Sequence, residues 1–154
     1  MFHIVLHEPK IPPNTGNVIR TSAATGAHLH LVEPLGFTMD DTKLKRAGLD
    51  YHDLAHVTVQ PNMEAVWAAV PEGRVFAFAT QATIRYSDIA YRPGDILLFG
   101  TEPLGLPDAV RADPRITSEV RIPMLAGRRS LNLSASVAIA AYEAWRQVAF
   151  EGAV

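Results

Sequence analysis

The sequence predicts an α/β domain, a mainly parallel sheet with flanking helices. Three observations lead there. Short stretches rich in apolar or β-branched residues recur along the chain, bounded by Pro, Gly or Asp: FHIVLHE, AHLHLVE, HVTVQ, RVFAFAT, DILLFG and SEVRIPM. Helix-like segments lie between them, and this alternation points to a parallel sheet built from βα units. Apolar residues make up 48% of the chain and charged residues 19%, an excess that suits a buried sheet or a surface that meets another subunit.

The 154 residues are expected to form one domain, 1–154, large enough to bury a proper core. With a formal net charge of −2, nothing global advertises nucleic-acid binding, so any basic site must be local. The chain has no cysteine, which excludes disulfides, thiolate nucleophiles and cysteine-bound metals. It has neither an apolar run of membrane-spanning length nor a signal-like N-terminus, so no membrane association and a cytoplasmic location are expected.

The elements follow in order. After the first strand, PPNTGNVIRTSAATG (12–26) reads as a helix. Its prolines stop what precedes them, Asn14 or Thr15 caps it, and Gly26 ends it. Val18, Ile19, Ala23 and Ala24 give it a buried side, and Arg20 stands close to its expected start. The second strand puts His28 and His30 on one face. MDDTKLKRAGLDYHDLAH is the most charged stretch and reads as a short surface helix with a loop. NMEAVWAAV is a helix with Asn62 as cap and Pro71 just past its end. The last helix, from about Ser130 to Phe150, carries Leu131, Leu133, Val137, Ala138, Ala141, Trp145 and Val148. That is more apolar surface than a small monomer needs, and a partner subunit is its natural cover.

In open α/β sheets, ligands sit beyond the carboxyl ends of the strands. Two loops there are rich in glycine, hydroxyl and amide groups: GTEPLGLP (100–107) and LAGRRSLNLSAS (125–136). Familiar enzyme signatures are missing. The first strand is followed by EPKIPPNTGN, not G-x-G-x-x-G. Gly100 to Gly105 lacks the Lys and Ser/Thr of a P-loop, and G-x-S-x-G is absent. His28 with His30, and His52 with His56, lack an obvious third ligand, so they read as structural or surface groups and no metal is expected.

Three polar clusters remain, and together they are specific. NTGNVIRTSAATG, LLFGTEPLGLP and IPMLAGRRSLNLSASVAIAAYEAW resemble, in order and separation, motifs 1, 2 and 3 of the SPOUT methyltransferases, in the SpoU (TrmH-like) branch. IVLHEPKIPPNTGN, LVEPLGF, KRAGLDYH and YEAWRQ bring the chain closer still to the tRNA (cytidine/uridine-34)-2′-O-methyltransferases. The resemblance spans most of the chain. Motif 2 departs from the usual Thr and Arg at Pro103 and Leu104, which touches fine substrate contacts more than the reaction.

The resemblance implies a C-terminal deep trefoil knot, an obligate homodimer with the active site near the subunit interface, and S-adenosyl-L-methionine as cofactor, leaving S-adenosyl-L-homocysteine. The implied function is 2′-O-methylation of the wobble nucleotide, C or U, in tRNA. The alternatives are a SpoU-type enzyme for another tRNA position or rRNA, and a non-catalytic RNA-binding dimer. The implied catalytic group is Arg20, Asn14, Glu102 and Asn132. Arg20 holds the phosphate beside the reacting ribose, because a guanidinium resists deprotonation, and Glu102 pairs with Arg20 or a ribose hydroxyl. Phe78, Thr80, Gly100, Gly105, Ile122, Met124, Ser130 and Leu131 are the cofactor-binding candidates, largely through backbone groups. Lys43, Lys45, Arg46, Arg128, Arg129 and Tyr142 are the candidates for RNA. The helix start near Arg20 is expected to form an anion-friendly corner for the ribose-phosphate.

Overall fold

The computed structural model describes residues 1–40, 42, 49 and 52–154. Lys43, Lys45 and Arg46 lie outside the described residues. Seven strands, β1 (His3–His7), β2 (His28–Val32), β3 (Val57–Gln60), β4 (Val75–Phe78), β5 (Ile84–Arg85), β6 (Ile96–Phe99) and β7 (Ile116–Arg121), form one sheet in the order β3-β2-β1-β6-β4-β7-β5. Every paired neighbour is parallel. Among the described residues the α-helices are α1 (Pro12–Thr25), α2 (Met63–Ala69), α3 (Asp108–Arg111) and α4 (Leu133–Gln147). No helix among the described residues is long and apolar enough to cross a membrane.

Both faces of the sheet are covered, which is why its strands read as apolar runs. On one face Ile4, Leu6, Leu29, Leu31, Leu97 and Phe99 meet Val18 and Ile19 of α1 and Val137, Ala140, Ala141 and Ala144 of α4. The small residues of α4 let it lie close against α1. On the other face Val5, Val32, Val75, Ile96 and Leu98 meet Met63, Val66 and Val70, from α2 and its C-terminal cap.

α1 starts earlier than the sequence suggests. Pro12 and Pro13 occupy its first positions, extended Ile11 precedes them without a side-chain cap, and Asn14 and Thr15 lie inside the first turn. Proline's fixed φ suits a helix start and its missing N–H costs nothing there, so the prolines begin the helix as well as ending the preceding segment. Gly26, at φ 74°, ends it as expected. α4 starts at Leu133, a little later than the sequence suggests, and its cap is Asn132, whose Oδ1 accepts from the backbone N–H groups of Ser134 and Ala135. Asn62 caps α2 as read from sequence.

The pairing of β1 with β2 puts His3 beside His28 and His30, with ring centroids 4.7 to 6.0 Å apart. The Gln60 amide donates to His30 Nδ1 at 3.2 Å, so His30 Nε2 carries the proton and donates to His3 Nδ1 at 3.1 Å. Burial, reinforced by the neighbouring histidines, holds His30 well below its ordinary 6.5, at about 4. The unfolded chain therefore binds more protons than the folded one between those values, and this stability is fully present only above pH 6.5. Unfolding free energy should fall as pH drops from about 6.5 to about 4, by on the order of 3 kcal/mol from His30. Urea titrations across that window should show a shallower slope in His30→Gln; an unchanged slope would remove His30 as the cause.

Candidate active site

From β1 the chain winds outward through β2 to β3, while β6, β4 and β7 lie on the other side, so β1 and β6 flank a switch in direction. Crevices at the carboxyl ends of such strands are where open α/β sheets bind ligands. Thr101, just past β6, donates its hydroxyl to the His7 carbonyl at the end of β1 at 2.8 Å, stitching the two strands at that point. Beside it opens a cavity of about 380 Å³.

Eleven of the sequence-derived candidates line this cavity. Phe78 and Thr80 come from the end of β4 and the loop beyond it, Gly100 and Gly105 from the loop after β6, and Ile122 and Met124 from beyond β7. Ser130, Leu131 and Asn132 close it from the approach to α4, and Asn14 and Glu102 stand on the α1 side. The rings of Phe78 and Phe99 stack at 4.5 Å and 17°, giving the cavity a flat aromatic wall. Ile11, Gln81, Leu106 and Ser136 also line it without having stood out in the sequence. Leu106 and Ser136 lie within the motif 2 and motif 3 segments, Ile11 stands three residues before motif 1, and Gln81 follows Thr80 beyond β4.

The loop after β6 is held very tightly. A Cβ on Gly100 would lie 2.1 Å from the Gly105 carbonyl carbon and 2.2 Å from the Leu106 nitrogen. Gly105, at φ 77°, bends back so that its N–H donates to the Thr101 carbonyl at 2.7 Å. Glycine is required at Gly100 by close approach and at Gly105 by backbone conformation.

Glu102 is 9% exposed, and both its carboxylate oxygens are engaged. The backbone N–H groups of Lys10 and Ile11 donate to Oε1 and Oε2 at 3.0 and 3.1 Å. Asn14 Nδ2 donates to Oε2 at 3.3 Å, and Asn132 Nδ2 donates to Asn14 Oδ1 at 3.0 Å. One hydrogen-bonded chain thus joins all three motif segments and ends on the cap of α4. The anion-friendly corner expected for an RNA phosphate at the start of α1 is taken by this carboxylate. Next to it, buried His7 lies 3.0 Å from Glu8 Oε2. Burial pushes the His7 imidazole below its ordinary value, against the opposing pull of Glu8.

Arg20 is not in the cavity. It stands two turns into α1, exposed, in a second hollow of about 440 Å³ shared with Thr21, Asp53 and Tyr142. The structure therefore brings together Asn14, Glu102 and Asn132 of the expected catalytic group and leaves Arg20 apart. Tyr142, an RNA candidate, is 44% exposed and joins Arg20 instead of the cavity. Arg128 and Arg129 are exposed on the loop before α4.

A sequence profile described as the SpoU rRNA Methylase family matches residues 1–142. The chain belongs to the SpoU family. It is 53% identical over 154 residues, covering all of both chains, to the tRNA (cytidine(34)-2′-O)-methyltransferase of Methylovorus glucosotrophus (strain SIP3-4). A solved structure described as "Structural insights into the 2-OH methylation of C/U34 on tRNA" superposes with a TM-score of 0.90 at 46% identity, over 98% of each chain. The SpoU methyltransferase AviRb from Streptomyces viridochromogenes, in complex with AdoMet, aligns with a TM-score of 0.81 at 26% identity, over 96% of this chain and 60% of that one. In this protein Asn14, Glu102 and Asn132 all border the cavity and are joined to one another by hydrogen bonds.

Proposed function

We propose that this protein uses S-adenosyl-L-methionine to methylate the 2′-hydroxyl of the wobble nucleotide, C or U at position 34, in tRNA. The observation that carries the reading is the cavity assembled from all three motif segments, in a chain 53% identical end to end to a tRNA (cytidine(34)-2′-O)-methyltransferase. The donor set suits the cofactor. Phe78, Phe99, Leu106, Ile122 and Met124 offer apolar walls for adenine, and Thr80, Gln81, Ser130 and Asn132 offer polar groups for ribose and amino acid. When bound, the cofactor supplies a methyl group activated by its sulfonium.

The chain's own residues then act mainly by positioning, which is worth roughly 7–11 kcal/mol in favourable cases. Asn14 and Asn132, locked to each other and to Glu102, present fixed amides at the cavity edge. Arg20 grips the phosphate next to the reacting ribose, a task suited to a permanently charged fork. Because Arg20 faces a separate hollow, the reading includes a homodimer in which α1 of one copy approaches the cavity mouth of the other. Exposed Ile139 and Tyr142 on α4 support such a partner. The reading also includes the C-terminal trefoil knot. The 130–133 segment lining the same cavity as the 100–106 loop supports it, as expected for a chain threaded past that loop. The substrate places the work in the cytoplasm.

Labelled S-adenosylmethionine and total tRNA from a strain lacking the gene provide the test. A 2′-O-methyl group mapped to position 34 is expected, and Arg20→Ala should lower transfer at least about 100-fold while cofactor affinity stays unchanged. Methylation at another position would overturn the assigned nucleotide, and absence of both transfer and cofactor binding would overturn the enzyme reading.

A further inference from the structure

Leu104 lines the cavity mouth, yet 80% of its surface is exposed. It is not on a loose loop. It sits at the tip of the turn closed by Gly105 N–H donating to the Thr101 carbonyl at 2.7 Å. The base of that turn is anchored through Thr101 to the His7 carbonyl and through Glu102 to Lys10 and Ile11. An apolar side chain is thus held out rigidly over the opening. Ile11, 43% exposed, and Leu131, 40% exposed, stand around the same mouth. Leu125, 78% exposed, follows Met124 of the cavity wall. Between Leu125 and Leu131 the chain carries Arg128 and Arg129, both exposed, and no ion pair to either is formed among the described residues.

An aliphatic lip, with two exposed arginines on the segment that leads into Leu131, fits a ligand with flat, apolar faces on an anionic backbone. Unpaired RNA has that character. Burying the same surface against another protein would need carboxylates to meet both arginines, whereas RNA brings its phosphates together with its bases. We propose that Leu104 is the platform on which the base of the methylated nucleotide rests, with Arg128 and Arg129 on neighbouring phosphates. This rests on the function proposed above and adds a residue that sets substrate tolerance. An aliphatic contact senses the face of a base and not its hydrogen-bonding edge, so the lip accepts cytosine and uracil alike.

The test compares Leu104→Ala and Leu104→Asp with the unaltered protein. It measures affinity for an unmodified anticodon stem-loop RNA, cofactor affinity by calorimetry, and molecular mass by light scattering. Leu104→Ala should weaken RNA binding and raise the KM for tRNA by about tenfold, and Leu104→Asp by more, through added repulsion of phosphates. Cofactor affinity and mass should not move. Arg128→Ala and Arg129→Ala should each flatten the salt dependence of RNA binding, which Leu104→Ala should leave unchanged. A parallel loss of cofactor affinity would assign the lip to the cofactor, a fall in mass would assign it to a second copy, and unchanged RNA affinity would show no contact; each overturns the inference. If the unaltered protein methylates tRNA while the Leu104 variants match it, this inference alone fails. If the unaltered protein neither binds RNA nor transfers a methyl group, the proposed function fails and takes the inference with it.

Discussion

Gly100→Ala will weaken cofactor binding at least 100-fold. The added methyl would sit 2.1 Å and 2.2 Å from two backbone atoms, the Gly105 carbonyl carbon and the Leu106 nitrogen. Backbone cannot swing aside as a flexible side chain can, so either the end of β6 or the whole 101–105 turn must move. Neither is free to do so. All of β6 is buried, and the turn is tied to His7, Lys10 and Ile11. Overpacking of this kind typically costs 1–3 kcal/mol where neighbours relax; here, with backbone on the other side, the loss of stability should reach about 3 kcal/mol or more. The displaced turn carries five residues of the cavity lining, Thr101 to Gly105, so S-adenosylmethionine affinity should fall at least 100-fold, about 2.7 kcal/mol. Calorimetry with the cofactor and urea unfolding report the two effects separately. Gly152→Ala, where a Cβ meets nothing within 4 Å but the φ of +85° strains any side chain, should cost some stability and leave cofactor affinity unchanged. A Gly100→Ala protein that binds cofactor normally would mean the loop is not packed this closely.

The sheet was legible in the sequence because burial on both faces writes a parallel strand as an apolar run, as at Ile96–Phe99, where every residue is buried. The cavity lining was legible for a different reason: ligands meet strands at their carboxyl ends, and Phe78, Gly100 and Ile122 lie at or just past those ends. Contacts between distant segments were not. Glu102 and Lys10 are 92 positions apart, so nothing local to GTEPLGLP shows that its carboxylate is engaged at the start of α1. The same holds for His3, which joins His28 and His30 only through the register of β1 on β2. β5 is two residues long and α3 four, too short for any periodicity to develop. In the sequence Arg20 stands six residues after Asn14, which puts it in the expected motif 1 corner. A helix of 14 residues carries it two turns onward and round to a different surface.

Glu102 distinguishes a proton-handling role from an anchoring one. Read from sequence alone, it is a lone carboxylate at a strand end, available to a substrate hydroxyl or to Arg20. In the fold its oxygens accept from two backbone N–H groups and from Asn14. A catalytic carboxylate of the first kind would lose turnover on conversion to Gln with stability intact. An anchor would lose both, because a glutamine amide turns one acceptor into a donor that faces another donor. We expect Glu102→Gln and Glu102→Ala each to destabilise the protein by about 2 kcal/mol, in the range for charge-assisted hydrogen bonds to a largely buried group. Asn14→Ala should cost less, since it removes one neutral donor and leaves both backbone contacts in place. The effect should propagate. Releasing Asn14 frees Asn132, which both meets Asn14 and caps α4, so a double-mutant cycle between Glu102 and Asn132 should give a coupling of about 0.5 kcal/mol or more despite their lacking a direct bond. Unchanged unfolding free energy in Glu102→Gln, with turnover lost, would return Glu102 to the substrate. Matched losses of stability, cofactor affinity and turnover would establish it as the tie that holds three loops in one geometry before any ligand arrives.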